Sequence, residues 1–233
     1  MPDPHAGCEV GPVVPGRSEP RSGREVWWAG HEGALLPDLE GEQVSEDVDP
    51  IGLLAGSSTV VAVGPLTNVA EAVDRPGRAI GALYLMGGNF SQEKVEHNIK
   101  CDVDAAAAVF ASDLPITAIG IEQTQRIRLG GAVVAQIEQA GALGRLLAAE
   151  MRQFWKFSDQ DSNVPHDPAA VLMLVEPDLF TFGAGLVEVD SDGFTRFTAA
   201  ESGPHRIVTD FDPAEVARRI VARILAACEK QSG

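Results

Sequence analysis

The chain has 233 residues, 45% of them hydrophobic, enough to bury one α/β core but a poor fit to two. Its formal charge of −16 and pI of about 4.6 make a nucleic-acid phosphate backbone an unfavourable partner, while clustered carboxylates suit a hard cation. Simple solubility is the plainer use of the same charge. The cysteines Cys8, Cys101 and Cys228 are odd in number and lack metal-ligand spacing, so they read as thiols of a reducing compartment. No basic-then-apolar leader is visible and no apolar run is long enough for a bilayer, so the expectation is a cytoplasmic protein without a membrane partner.

In chain order, residues 1–50 are largely irregular, with Pro2, Pro4, Pro12, Pro15 and Pro20 opposing helix. Trp27 and Trp28 in that region read as anchors to the core. The β-branched run from Thr59 to Val63 is a buried strand, closed by Gly64-Pro65, and a helix follows from Leu66 to Val73. Ala79 to Met86 is a second strand, halted by Gly87-Gly88-Asn89. Asp102 caps an alanine-rich helix from Val103 to Ala111, and Pro115 to Ile121 is a third strand. Residues 131–150 have helical apolar spacing, and Gln153 to Asn163 reads as a compact loop. Asp167-Pro168 is a helix-start signature with Asp167 as cap, opening an apolar helix through Val175. Strand-like segments follow at Gly185 to Val189 and Arg206 to Val208. Asp212-Pro213-Ala214-Glu215 is a capping box for a terminal helix that reaches about Lys230.

Strands alternating with helices over 1–233 predict a single α/β domain, a mostly parallel, Rossmann-like sheet with helices on both faces. In such sheets ligands bind at the carboxyl ends of the strands. Those ends are the Gly64-to-Asn68 turn, the Met86-to-Asn89 turn and the Glu122-to-Arg128 region. His166 beside Asp167 at the mouth of a helix has two readings, an incidental histidine next to a cap or a catalytic imidazole–carboxylate pair.

Four segments, in order, bear on the choice, and a fifth stretch near the start adds to them. Gly64-Pro65-Leu66-Thr67-Asn68 resembles the G-P-L-T-N stretch of the nucleoside hydrolases, the inosine–uridine-preferring N-ribohydrolases. Met86-Gly87-Gly88 resembles the M-G-G turn of that family, and Glu96-His97-Asn98-Ile99 with Asp102 and the alanine run resembles its E-F-N-I…D…A-A segment. His166-Asp167-Pro168 resembles its H-D-P motif, and Pro12-Val13-Val14-Pro15-Gly16 is similar to the loop before its second helix.

The resemblance implies hydrolysis of the N-glycosidic bond of a ribonucleoside with one bound calcium ion. Asp167 is then a calcium ligand and Thr67 lends its backbone carbonyl; Glu96 and Asn98 hold ribose hydroxyls, with Met86 against the sugar. His166 assists departure of the base as general acid. Asn89 joins the substrate-binding set, and Trp155 is an aromatic that stacks on the base unless it belongs to the core.

Family members begin with a strand ending in D-x-D-x-x-x-D-D, which supplies most calcium carboxylates and the first strand of the sheet, and this sequence has no equivalent. His97 stands where the family has an aromatic residue. Calcium takes about 6–8 oxygens, and Asp167 with the Thr67 carbonyl supplies too few. The expectation is therefore a homo-oligomer, or a second polypeptide that completes the metal site. The alternatives are a non-catalytic nucleoside- or sugar-binding or regulatory subunit, and a metal-free lyase or isomerase on the same fold.

Overall fold

The computed structural model describes residues 11–25, 35 and 44–230. The expectations for Trp27, Trp28 and Cys8 lie outside them. The described part of 1–50 is irregular up to helix α1 (Pro50–Ala55), whose N-terminus is capped by the Asp49 carboxylate on the Ile51 N–H.

Two strand–helix units come next: β1 (Thr59–Ala62) with α2 (Thr67–Val73), then β2 (Ala82–Met86) with α3 (His97–Cys101) and α4 (Val103–Phe110). After β3 (Ile116–Ile119), a four-residue helix α5 (Ile121–Thr124) leads to a short strand β4 (Leu129–Gly130), helices α6 (Gly131–Glu138) and α7 (Ala142–Ser158), and β5 (Ser162–Asn163), the antiparallel partner of β4. Helix α8 (His166–Val175) precedes β6 (Phe180–Val189), β7 (Thr195–Ala199), β8 (His205–Phe211) and the terminal helix α9 (Pro213–Lys230).

The main sheet has the order β1-β2-β3-β8-β6-β7. The first four strands are parallel neighbours, and β6 runs against both β8 and β7. The mostly parallel α/β expectation holds. Alternate residues serve opposite faces, as strand pleating requires. Val60, Leu83, Leu85, Ile116 and Ile207 pack with α1, α2 and α4 on one side. Tyr84, Met86, Ile119 and Val208 pack with α8 and α9 on the other.

Several expectations change. Residues 131–150 form two helices, because Gly141 adopts a φ of 100° that only glycine takes up without strain. The supposed loop after Gln153 is the last turns of α7, which runs on to Ser158. The last strands are longer than read, and β7 is an addition. Helix α8 starts two residues earlier than predicted: Pro165 stands at its cap and Asp167 lies in the first turn without a capping bond. Pro168 fits there because first-turn N–H groups have no intrahelical acceptor. Asp212 does cap α9, accepting from the N–H groups of Ala214 and Glu215, but the box is not reciprocal. Arg218 and Arg219 take the Glu215 carboxylate instead and hold its pKa at about 2.

Candidate active site

The carboxyl ends of β2 and β3 carry the first half of the site. Beyond Met86 the chain turns at Gly88, whose N–H donates to Glu96 Oε2 at 3.2 Å. Glu96 is the cap of α3: it also accepts from the N–H groups of Asn98 (3.0 Å) and Ile99 (3.2 Å), and it is only 4% exposed. Three backbone donors therefore occupy most of the lone pairs expected to meet a sugar.

The Asn98 amide donates to the Met86 carbonyl at 3.1 Å and touches its sulfur at 3.7 Å. This holds the Asn98 side chain against the end of β2. Met86 is buried in the apolar cluster beneath α8, so its place is to support Asn98 and not to meet a ligand broadly.

Asn89, 2% exposed, is committed to its loop. Its N–H donates to Thr195 Oγ1, its carbonyl accepts from that hydroxyl, and its Oδ1 accepts from the Gln92 N–H. These bonds tie the β2 loop to β7.

Thr67 has a structural contact of its own. It opens α2, where its carbonyl points into the helical ladder, and its hydroxyl donates to Asp102 at 2.6 Å. Asp102 caps α4 as expected, through Ala105 N–H, and also accepts from the backbone of Arg21 and Ser22.

The second half of the site is built by α5, the end of α7 and the start of α8. Thr124 Oγ1 lies 2.6 Å from His166 Nδ1 and 3.2 Å from the Ile121 carbonyl. Burial, and then the nearby Arg128 guanidinium, push the His166 imidazole below its ordinary pKa. Arg128 makes no ion pair with a described residue. A cavity of about 670 Å³ opens here, lined by Gln125, Arg128, Phe154, Asp159, Asp161 and His166 among others. That volume is of the size that takes a small-molecule ligand.

Trp155 does not line this cavity. It is half-buried, its indole N–H has no hydrogen-bond partner among the described residues, and the aromatic on the cavity wall is its neighbour Phe154. Because α7 continues through this stretch, the two side chains project about 100° apart.

Asp167 follows His166 and makes no hydrogen bond to a described residue. Crowding by the protein and then the Glu96 carboxylate push its pKa up. His166 and Asp167 thus join the two halves, the cavity on one side and the Glu96–Asn98 loop on the other. Burial also raises the Glu122 carboxyl, which accepts from Phe90 N–H and ties that loop to α5.

Among the described residues no group of three or more His, Cys, Asp or Glu side chains could hold a metal ion. Asp167 with Thr67 does not fit calcium, which needs about 6–8 oxygens. Nor is any described helix long and apolar enough to cross a membrane.

Comparison with known proteins defines the class. The sequence profile of the inosine-uridine preferring nucleoside hydrolases matches residues 5–218, and the chain belongs to that family. It is 29% identical over 225 residues to a probable uridine nucleosidase 1 of Oryza sativa subsp. japonica, covering 85% of this chain and 69% of that one. It is 34% identical over 148 residues to a non-specific ribonucleoside hydrolase, RihC, of Escherichia coli K12, covering 60% of this chain and 49% of that one. Hence the matched stretch spans about half the length of the bacterial relative.

Among solved structures, a plant nucleoside hydrolase, the PpNRh1 enzyme, superposes with a TM-score of 0.80 at 24% identity, over 92% of this chain and 80% of that one. A purine-preferring ribonucleoside hydrolase from Gardnerella vaginalis gives 0.74 at 24% identity, over 81% and 69%. These two likenesses establish the fold.

Proposed function

We propose that the chain hydrolyses the N-glycosidic bond of a ribonucleoside, releasing ribose and free base. The observation that carries this reading is His166, held by Thr124 at the wall of the cavity and followed by Asp167, a carboxylate with no hydrogen bond to a described residue. Family membership favours the hydrolase over a sugar-binding module.

The chemistry asks for three things: a proton for the departing base, oriented ribose hydroxyls and a directed water, because the transition state is oxocarbenium-like. His166 in its protonated form gives its proton to the base nitrogen as the C1′–N bond breaks. Burial and Arg128 disfavour that form in the resting protein, and the charge growing on the departing base favours it again. Water adds its oxygen to C1′ and yields its proton to Asp167, whose raised pKa suits a base. Solvent exchange then resets both groups. Asn98, fixed by Met86, offers its side-chain oxygen to a ribose hydroxyl.

We further propose that the chain associates, with copies of itself or with a second polypeptide. Among the described residues β1 pairs on one side only, leaving a row of backbone groups open. A monodisperse, active monomer in light scattering would remove this part.

The test is incubation with inosine, uridine, adenosine and cytidine, with calcium added in one series, following reducing sugar and free base together. Equal release of both, lost in His166→Ala with an unchanged melting curve, is the expected result. Binding without product from every nucleoside would overturn the hydrolase reading in favour of a binding or regulatory subunit.

A further inference from the structure

We infer that Thr124 is the positioning residue of the His166 imidazole, fixing the ring so that Nδ1 carries a proton and Nε2 is the nitrogen presented to the cavity. The catalytic meaning of this inference rests on the hydrolase reading; its structural content does not.

Thr124 Oγ1 contacts two groups, the Ile121 carbonyl at 3.2 Å and His166 Nδ1 at 2.6 Å. A hydroxyl has one proton to give and lone pairs to accept with, and a carbonyl only accepts. Both contacts are hydrogen bonds in one arrangement alone: the hydroxyl donates to Ile121, and Nδ1–H donates to the hydroxyl. The reverse assignment sets an oxygen lone pair against the Ile121 carbonyl oxygen. Thr124 is fully buried, so water does not repair that loss.

The support beneath Thr124 is rigid. Its own N–H donates to the Gly120 carbonyl at 3.1 Å, and the Glu122 carboxylate on the same helix accepts from Phe90 N–H at 3.2 Å. The ring is therefore hung from the end of β3 and not from a carboxylate. The charged residues on the same cavity are Arg128, Asp159 and Asp161, with Asp167 next along α8, and none of them hydrogen-bonds to the imidazole. Nε2 makes no hydrogen bond to a described residue, so it is the ring atom open to a heterocyclic leaving group.

Nitrogen-15 NMR of the histidine-labelled protein reads the arrangement directly. The His166 signals are assigned by their loss in His166→Gln. At a pH where the ring is neutral, a protonated Nδ1 and an unprotonated Nε2 are expected. A protonated Nε2 with a bare Nδ1 in the native protein overturns the inference, whether or not any nucleoside is cleaved.

Thr124→Val keeps the shape and removes the acceptor, whereas Thr124→Ser keeps it. In Thr124→Val the tautomer preference should be lost and kcat should fall by about 10- to 100-fold with little change in KM, the scale seen when an orienting partner is taken from a functional histidine. Thr124→Ser should restore both. A Thr124→Val protein with the native tautomer and native kcat contradicts the assignment. If Thr124→Val does not fold, the native spectrum and Thr124→Ser still decide it.

Discussion

The Thr67 hydroxyl donates a 2.6 Å hydrogen bond to Asp102 Oδ2, and that contact turns a motif threonine into part of a structural hub. Asp102 is fully buried and also accepts from the N–H groups of Arg21, Ser22 and Ala105. One carboxylate thus joins the N-terminal segment, the start of α2 and the start of α4. Asp102→Ala should leave several of these donors without an acceptor and cost about 3 kcal/mol or more in denaturant unfolding. Thr67→Val should cost about 1 kcal/mol, because only one bond is lost. Equal small losses for both variants would mean the hub does not hold these elements together.

Asp159 closes α7 with a φ of 52°, the sole described residue other than glycine with a positive φ. The left-handed conformation costs a side chain up to about 1–2 kcal/mol, less for Asp than for most. Asp159→Gly should therefore be neutral or stabilising by up to about 1 kcal/mol, and Asp159→Val destabilising by about that amount. Because Asp159 also lines the cavity, the same pair of variants separates backbone strain from ligand binding. Tighter nucleoside binding in Asp159→Val than in the native chain would assign the strain no part in holding the cavity.

His205 sets an acid limit on stability. It is fully buried in β8, its Nδ1 accepts from Val187 N–H at 2.8 Å, and its ring meets Phe110 edge-on. Burial holds its pKa below the ordinary 6.5. The unfolded chain takes up a proton near that pH and the folded chain does not, so full stability lies above about 6.5 and declines as the pH falls towards the folded value. His205→Asn retains an acceptor for Val187 and removes the titration. Its denaturation midpoint should fall less than that of the native chain between pH 7.5 and 5.5, roughly the window in which histidine titrates. Parallel curves for the two proteins would show that His205 does not titrate on unfolding.

The parallel half of the fold was legible because Val60, Leu83, Leu85 and Ile116 sit in β-branched or apolar runs closed by glycine, and each run is followed by a helical pattern. The antiparallel end was not. The sequence reading starts that strand only at Gly185, whereas β6 begins at Phe180; at Gly185 an added Cβ would meet the Thr198 carbonyl oxygen at 2.2 Å. There the glycine serves close strand contact, not a turn.

The site divides in the same way. The H-D-P and E-x-N motifs were visible as local patterns, whereas the backbone commitments of Glu96 and Asn89 were not. Thr124 carries no local signal at all, since its contact with His166 spans 42 positions. By sequence the Glu122-to-Arg128 region lies at the carboxyl end of a strand, which points to Thr124 and Arg128 without separating them from their neighbours. For Trp155 the sequence leaves base stacking and core both open; α7 running on through this stretch puts Phe154 on the cavity wall, a rotation that a loop reading does not show.

In the proposed reaction His166 supplies the proton for the departing base. The direct measurement is the rate of His166→Ala on inosine compared with its rate on a p-nitrophenyl riboside, whose leaving group departs without protonation. A loss of about 10²- to 10⁴-fold on inosine with little loss on the nitrophenyl riboside is expected. Equal losses on the two substrates would contradict it.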